Sequence, residues 1–499
     1  MLNGMRIVVI GNGMVGSRFC AGLAGCGAKI TVLGAEPYAA YNRLQLSEVI
    51  AGRAELGSLE LPGPPPEATV LRGVAATAID RVRRRVRDSA GTEHPYDLCV
   101  LATGARARLP LPGAPSEPPP GVRTLRDLDD CRELLAAAAT HDDITVLGGG
   151  LLGVELACGL RTHGVNVTLI NNGPYPLQRQ LPEGAGRIAE ATLTDLGVRV
   201  INNAEVRGWG HRGTRLTVLT LATAAGPTRV PTSLLVVTAG VSARTELARA
   251  AGLPIRRGVV VGEDLLSPAD PAIAAIGDCA ETPDEGCPGL LAPGWAQADR
   301  LASRLRGEAR RPPEAAGEVI ALKAVGLQVT ALGELDWATT EAGGTRVLEL
   351  SDAAARRAVR IAVRDDRLVG AVCVGAPRTA ADLTVAFERR TALPPDPAEL
   401  LLAGDGRRTD PTDLPAAATV CRCNGVNRAE IDRAHDCGAR TVEEVACATR
   451  AGTGCGSCTG LVAALLQAAA DRVTGDRDGS EGLVAGPKHS APLAETSAT

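Results

Sequence analysis

Two strand–glycine loop–helix units, their loops 137 residues apart, constrain this chain more than any other feature. The first runs through Arg6–Ile10, then Gly11-Asn12-Gly13-Met14-Val15-Gly16, then a helix to about Ala24. The second runs through Ile144–Leu147, then Gly148-Gly149-Gly150-Leu151-Leu152-Gly153, then a helix to about Arg161. Each leads into a second apolar strand, Lys29–Leu33 and Val165–Ile170. Strand, glycine turn, helix and strand in that order form a right-handed βαβ unit on a parallel sheet. Glycines let the backbone approach a pyrophosphate, and the helix N-terminus offers it N–H donors and positive potential. A lone G-x-G-x-x-G is weak evidence; here both loops have their full context. The expected fold class is α/β, with two Rossmann-like dinucleotide-binding domains. In the first, Glu36 follows Gly16 by twenty residues and is placed to bind an adenosine ribose.

Composition narrows the function classes. A net charge of −4 gives no reason to expect nucleic acid or an acidic membrane surface. No run of about 18 apolar residues is present, so no membrane span is expected. The N-terminus runs straight into a strand without a cleavable signal pattern. Fourteen cysteines in such a chain point to a reducing cytoplasm and to metal ligation, not to a disulfide framework. Cys20, Cys99, Cys158 and Cys373 sit in apolar runs and read as core.

Four cysteines stand apart: Cys421 and Cys423 as C-x-C, Cys455 and Cys458 as C-x-x-C. Two tight thiolate pairs can hold an iron–sulfur cluster or a structural zinc. The C-x-C spacing is short for a zinc knuckle. The six histidines are scattered, which argues against a His-based site. Gly454 and Gly456 could turn backbone amides toward the sulfurs. Cys437 and Cys447 lie in the same region and read as core.

Composition shifts divide the chain. Residues 1–120 and 240–312 are expected to form the first dinucleotide-binding domain, and 121–239 the second. Residues 316–395 suggest a small α+β domain. Within it, Ala358–Val363 and Leu368–Val374 read as strands around Asp365-Asp366, and Thr379–Arg389 as a helix. Residues 396–415, rich in Pro, Asp and Gly, read as a linker on which the cysteine module (416–472) could swing. Residues 473–499 read as a disordered tail.

Two further segments, Leu98–Gly104 (ending Ala-Thr-Gly) and Ile273–Asp278 (ending Gly-Asp), complete a pattern. With the glycine loops, the chain resembles the two-dinucleotide-domain flavoproteins of the pyridine nucleotide oxidoreductase family. That resemblance implies FAD on Gly11, Gly13, Gly16, Glu36, Thr103, Gly104 and Asp278. It implies NADH or NADPH on Gly148, Gly150 and Gly153, with Glu155 close to the nicotinamide. Taken alone, Asp278 would be a turn residue and Glu155 a solvated helix carboxylate. After the second strand stand Asn171-Asn172, with no acid and no adjacent Arg, which favours NADH over NADPH. Cys20 and Cys26 lack the spacing of the redox pair of disulfide reductases, so direct disulfide reduction is not expected.

The stretches Gly11–Arg18, Glu36–Ser47 and Gln178–Leu181 resemble the flavoprotein half of assimilatory NAD(P)H nitrite reductases. Trp295–Ala298 and the cysteine module extend the likeness over about residues 4–470. By resemblance to ferredoxin-reductase relatives, Arg43 matches a flavin contact and Trp295 an aromatic beside the flavin; taken alone they would be a surface Arg and a core Trp. Where such relatives often carry Lys, this chain has Glu48, so a Lys–flavin contact is not transferred. The segment around Cys421, Cys423, Cys455 and Cys458 resembles the bacterioferritin-associated ferredoxin module, a small helical fold whose four cysteines bind a [2Fe–2S] cluster. The sequence shows no third cysteine cluster for a sirohaem half. The architecture therefore looks more like the electron-transfer subunit of assimilatory nitrate reductase. That implies a flow NADH → FAD → [2Fe–2S] → partner, the partner being a molybdenum-containing catalytic subunit or nitrite reductase. A homo-oligomer stays open. So do a flavin subunit of an amine or opine dehydrogenase, a general ferredoxin or rubredoxin reductase, and a redox-sensing module.

Overall fold

The computed structural model describes residues 2–113, 117–213, 215–283, 286–287, 289–308, 319–334, 344–402, 414–422, 424–454, 456 and 458–478, with side chains to 470. Two units emerge, 1–406 and 407–499. No helix among the described residues is long and apolar enough to cross a membrane.

In the first unit, β1 (Arg6–Ile10) is buried from Ile7 to Ile10. Such continuous burial is what a parallel strand covered on both faces requires. It pairs in parallel with β2 (Lys29–Gly34), Ile7 opposite Ile30, and with Leu98–Leu101, Ile7 opposite Leu98. The sheet continues to Ala68–Arg72 on one side and to Asp270–Ala275 and Leu266–Ser267 on the other. The glycine loop feeds α1 (Met14–Gly22). A short helix, α2 (Leu46–Ile50), follows β2.

The chain leaves this fold through Ala105–Ala107 and returns through Val241–Ala243, and the two crossings pair antiparallel. Between them lies the second fold. There β3 (Asp143–Leu147) feeds α3 (Leu151–Arg161) and then β4 (Asn166–Ile170). Its five-stranded sheet runs Val198–Ile201, β4, β3, Leu234–Val237, Val122–Thr124, all parallel. The first fold closes with α4 (Leu291–Arg306).

A five-stranded antiparallel sheet follows, ordered Val319–Ala321, Val329–Gly333, Arg367–Val374, Arg357–Arg364, Arg346–Asp352. The hairpin between Arg364 and Arg367 turns on Asp365 and Asp366, both at positive φ (50° and 55°). That is the backbone twist a two-residue hairpin loop needs. Alternation divides the sheet's two faces. Val359, Ile361 and Cys373 pack on the sheet's own helix, Pro377–Arg389, through Leu383 and Phe387. Ala358, Val372 and Val374 join the core that holds Ile188 and Leu193 of the second fold.

The second unit is a small helical body. Arg428–Asp436 and Val442–Thr449 each begin with a capping box, Asn427 with Glu430 and Thr441 with Glu444. With α5 (Thr459–Asp478) they enclose Val420, Cys421, Ile431, Val445, Cys458, Val462 and Leu465.

Three expectations change. Residues 397–402, read as linker, form a 3₁₀ helix with Leu401 buried on the small sheet, because Leu400 and Leu401 bury apolar surface there. The helix of the cysteine module runs to Asp478, through Gly475, past the expected start of the tail at 473. One glycine costs a helix only about 1 kcal/mol. The rest of that tail and residues 403–413 of the linker lie outside the described residues. Cys437 and Cys447, read as core, are exposed: Cys437 caps the C-terminal end of Arg428–Asp436, and Cys447 lies in Val442–Thr449.

Candidate functional site

The glycines of the first loop divide by task. Gly11 has φ +123°, and a Cβ there would lie 2.1 Å from the Ala102 carbonyl oxygen. A Cβ on Gly16 would lie 2.2 Å from the Gly11 oxygen. Both are dictated by the close approach of strand and helix. Gly13, at the N-cap of α1, is different: a Cβ there would meet nothing nearer than Arg43 Nη2 at 3.9 Å. Its missing side chain keeps the helix N-terminus open.

The second loop repeats this division. A Cβ on Gly148 (φ +124°) would lie 2.7 Å from the Thr238 oxygen, and one on Gly153 1.8 Å from the Gly148 oxygen. Gly150 faces open space to 4 Å. Each loop is thus a cradle that a Cβ at its middle glycine would fill, which is what a bound pyrophosphate requires.

Around the first cradle the chain gathers four of its charged residues into one line. Glu36 accepts from Arg43 Nη2 (2.5 Å) and from the Tyr41 hydroxyl (2.6 Å). Arg43 Nη1 reaches the Arg126 carbonyl (3.4 Å), and Arg126 Nη2 donates to Asp278 Oδ2 (2.7 Å). Glu36, Arg43 and Asp278 were legible in the sequence. Arg126 was not, because it opens the second fold and no motif marks it. Burial and its hydrogen bond to Glu36 push the Tyr41 hydroxyl up against a lesser opposing pull from Arg43, so it stays a neutral donor.

Thr103 and Gly104 hold the return crossing: Thr103 Oγ1 donates to the Arg244 carbonyl (3.1 Å), and the Arg244 amide donates to Gly104 O. Trp295, on α4, is 2% exposed. Its indole N–H donates to the Met14 carbonyl (3.3 Å), and the Arg18 guanidinium stacks on its ring at 4.6 Å. Arg18 is itself clamped by both oxygens of Asp299. In this structure Trp295 braces α4 against α1.

At the end of β4, Asn171 is buried. Its amide donates to Gly173 O (3.0 Å) and Asn202 Oδ1 (3.2 Å), and its side chain packs where a Cβ of Gly149 would be. Asn171 therefore supports the loop, and Asn172 carries the exposed amide.

Glu155, one turn into α3, is buried rather than solvated. It accepts from Ser47 Oγ of α2 (2.7 Å) and from the Lys323 backbone N–H (3.0 Å), with the Lys323 ammonium 3.6 Å away. The carboxylate thus stands at the junction of the two dinucleotide folds. Lys323, from the small domain, had no sequence signal.

In the second unit, Cys421 and Cys458 come together in the core, 37 residues apart in sequence. The Cys421 thiol is pushed down to about 6, first by the hydrogen bond from Cys458, then by the amides of Gly452 and Asn424 and the Asn424 side chain, against an opposing effect of burial. Here Gly452 and Asn424 supply amides to a sulfur, a task the sequence had suggested for Gly454 and Gly456. Cys423 and Cys455 lie outside the described residues. A buried thiolate beside a second thiol, ringed by N–H donors, is the donor chemistry an iron–sulfur cluster takes.

The sequence matches the family model for the pyridine nucleotide-disulphide oxidoreductases over residues 5–298. Residues 419–468 match the BFD-like [2Fe–2S] binding domain. The chain is 29% identical over 484 residues to a nitrite reductase [NAD(P)H] of Bacillus subtilis, covering 93% of this chain and 57% of that protein. It is also 29% identical over 482 residues to the assimilatory nitrate reductase electron transfer subunit of the same organism, covering 93% and 59%. It therefore spans less than three fifths of either relative. Among solved structures, the covalent putidaredoxin reductase–putidaredoxin complex superposes with a TM-score of 0.67 at 25% identity, covering 81% of this chain and all of that one. The cofactors that follow are FAD and NAD(P)H in the first unit and a [2Fe–2S] cluster in the second. The chain belongs to the pyridine nucleotide-disulphide oxidoreductase family.

Proposed function

We propose that this chain is an NADH-dependent electron-transfer component. Electrons enter at the second dinucleotide fold, pass to the first, and leave through the cysteine module to a partner reductase. The observation that carries this reading is the pairing of two open glycine cradles in one unit with a paired, amide-ringed thiol centre in the other. When bound, FAD accepts a hydride from the nicotinamide and the [2Fe–2S] cluster carries electrons singly.

The chain's own residues then have distinct tasks. Gly13 and Gly150 leave room for the two pyrophosphates. Glu36 would hold a ribose, while Arg43 and Arg126 keep Glu36 and Asp278 in place, and Asp278 would accept from a ribityl hydroxyl. Thr103 and Gly104 fix the crossing beside the flavin, and Trp295 keeps α4 on α1. Glu155 sets a negative charge near the nicotinamide. Cys421, Cys423, Cys455 and Cys458 ligate the cluster. The exposed Asn172 can bond ribose hydroxyls but offers a 2′-phosphate no cation, which favours NADH over NADPH.

The partner proposed is a nitrate reductase catalytic subunit carrying molybdenum, or a nitrite reductase centre, on the strength of the relatives named above. Free thiols such as Cys20, Cys99 and Cys158 suit a cytoplasmic protein. The test is anaerobic titration of the purified protein with NADH. Rapid bleaching of the flavin, followed by reduction of the cluster, is expected. A flavin untouched by NADH but reduced by an amino acid or opine would overturn the proposal in favour of an amine dehydrogenase subunit.

A further inference from the structure

The chain contains fifty arginines and only three lysines, at 29, 323 and 488. Lys29 is exposed at the start of β2. Lys323 is not: its side chain is 18% exposed, in the loop joining Val319–Ala321 to Val329–Gly333. A compact ammonium fits where a planar guanidinium fork does not. In a chain that otherwise uses arginine for its cations, an enclosed lysine marks such a place.

Three bodies meet there. The Lys323 N–H donates to Glu155 Oε1 (3.0 Å), and its ammonium lies 3.6 Å from Oε2 and donates to the Leu44 carbonyl (2.7 Å). Ser47 Oγ completes the set at 2.7 Å from Oε2. Arg53, just past α2, donates both to the Lys323 carbonyl and to Glu48, so the Glu48 carboxylate has a cation of its own. Leu44, Ser47 and Arg53 belong to the first fold, Glu155 to the second, and Lys323 to the small domain.

We infer that Lys323 is a positioning residue for Glu155: the small domain inserts one ammonium at the junction of the dinucleotide folds and holds the carboxylate in place. This rests on the proposed placement of Glu155 beside the nicotinamide. A buried carboxylate stripped of its cation cannot keep its position without large cost. A nicotinamide is cationic when oxidised and neutral when reduced. A carboxylate fixed beside it therefore favours NAD⁺ over NADH, and the ratio of the two affinities reports where that charge stands.

The experiment measures NAD⁺ and NADH dissociation constants by calorimetry on the FAD-loaded full chain, the NADH arm anaerobic with reduced flavin. Glu155→Gln, Lys323→Met and the double variant are compared, with thermal melting recorded for each. Glu155→Gln is expected to weaken NAD⁺ about tenfold, the effect of one partly screened charge pair, and NADH less than about twofold. Lys323→Met should reproduce that selective loss, and the double variant should be no worse than Glu155→Gln alone. If Glu155→Gln is selective and Lys323→Met is not, the inference about Lys323 fails by itself. If Glu155→Gln changes nothing, the placement of Glu155 fails first. Equal loss of both nucleotides in Lys323→Met, with a lowered melting temperature, would make Lys323 a structural bolt and overturn the inference.

Discussion

Arg126 donates to Asp278 at 2.7 Å, and the two residues come from different folds of the same unit. Arg126 follows the edge strand of the second sheet, and Asp278 follows the strand Asp270–Ala275 of the first. The ion pair is less than one-third exposed on either side, so it is better shielded than a surface bridge. It ties the crossing between the folds to the carboxylate assigned to the flavin's ribityl chain. Arg126→Gln should lower FAD retention by roughly 10- to 100-fold, the range for losing one hydrogen bond to a charged group. Flavin-to-protein ratio after exhaustive desalting checks it; full retention would remove Arg126 from the site.

The two kinds of glycine should separate cleanly under substitution. Gly11→Ala and Gly153→Ala force a Cβ into backbone oxygen, at 2.1 and 1.8 Å. Each should destabilise the unit by several kcal/mol. Gly13→Ala and Gly150→Ala meet no such obstacle. They should melt within a few degrees of the parent yet bind FAD or NADH at least about tenfold more weakly, through lost pyrophosphate approach. Melting curves beside nucleotide titrations distinguish the pairs.

Much of the first unit was readable from the chain because its signals are local. Glycine loops, continuous apolar strands and the Asp365-Asp366 turn each act through neighbours in sequence. Glu36, Arg43 and Asp278 were found by position after those elements, and the structure draws them together. Arg126 and Lys323 were not legible. Each gains its role from a partner far along the chain, Asp278 in one case and Glu155 in the other, with no periodicity to mark it. Asn171 shows the converse: its place after β4 suggested a ribose contact, but packing against Gly149 spends its amide on the loop. Cys437 and Cys447 were misplaced for a similar reason. A cysteine at the end of a short helix or within one gives no local sign of its exposure, and both are exposed.

Those two exposed thiols make a simple probe. Brief treatment with a maleimide should label Cys437 and Cys447 and leave the visible spectrum of the cluster unchanged. Peptide mapping reads the sites. Early loss of the cluster with labelling at these positions would give them a part in its support.

Cys421 offers a pH test on cluster-free protein. Its folded-state value near 6 lies below the ordinary thiol value of 9.0. A depressed acid contributes stability that is full above its unfolded value and is lost as pH falls through the folded one. The contribution should therefore fade between about 9 and 6 on acidification. Ultraviolet titration of thiolate should show one group with a midpoint near 6, and Cys458→Ser should move that midpoint upward. The absence of any thiol titrating well below 9 would contradict the contact between Cys421 and Cys458.

The central claim is a direction of flow, from nicotinamide to flavin to the paired thiols and out. The most direct measurement is anaerobic stopped-flow mixing of NADH with the parent protein and with Cys458→Ser, following flavin bleaching and reduction of a one-electron acceptor protein together. The account predicts equal flavin bleaching in both, with acceptor reduction lost in Cys458→Ser. Acceptor reduction at the parental rate in Cys458→Ser would contradict it.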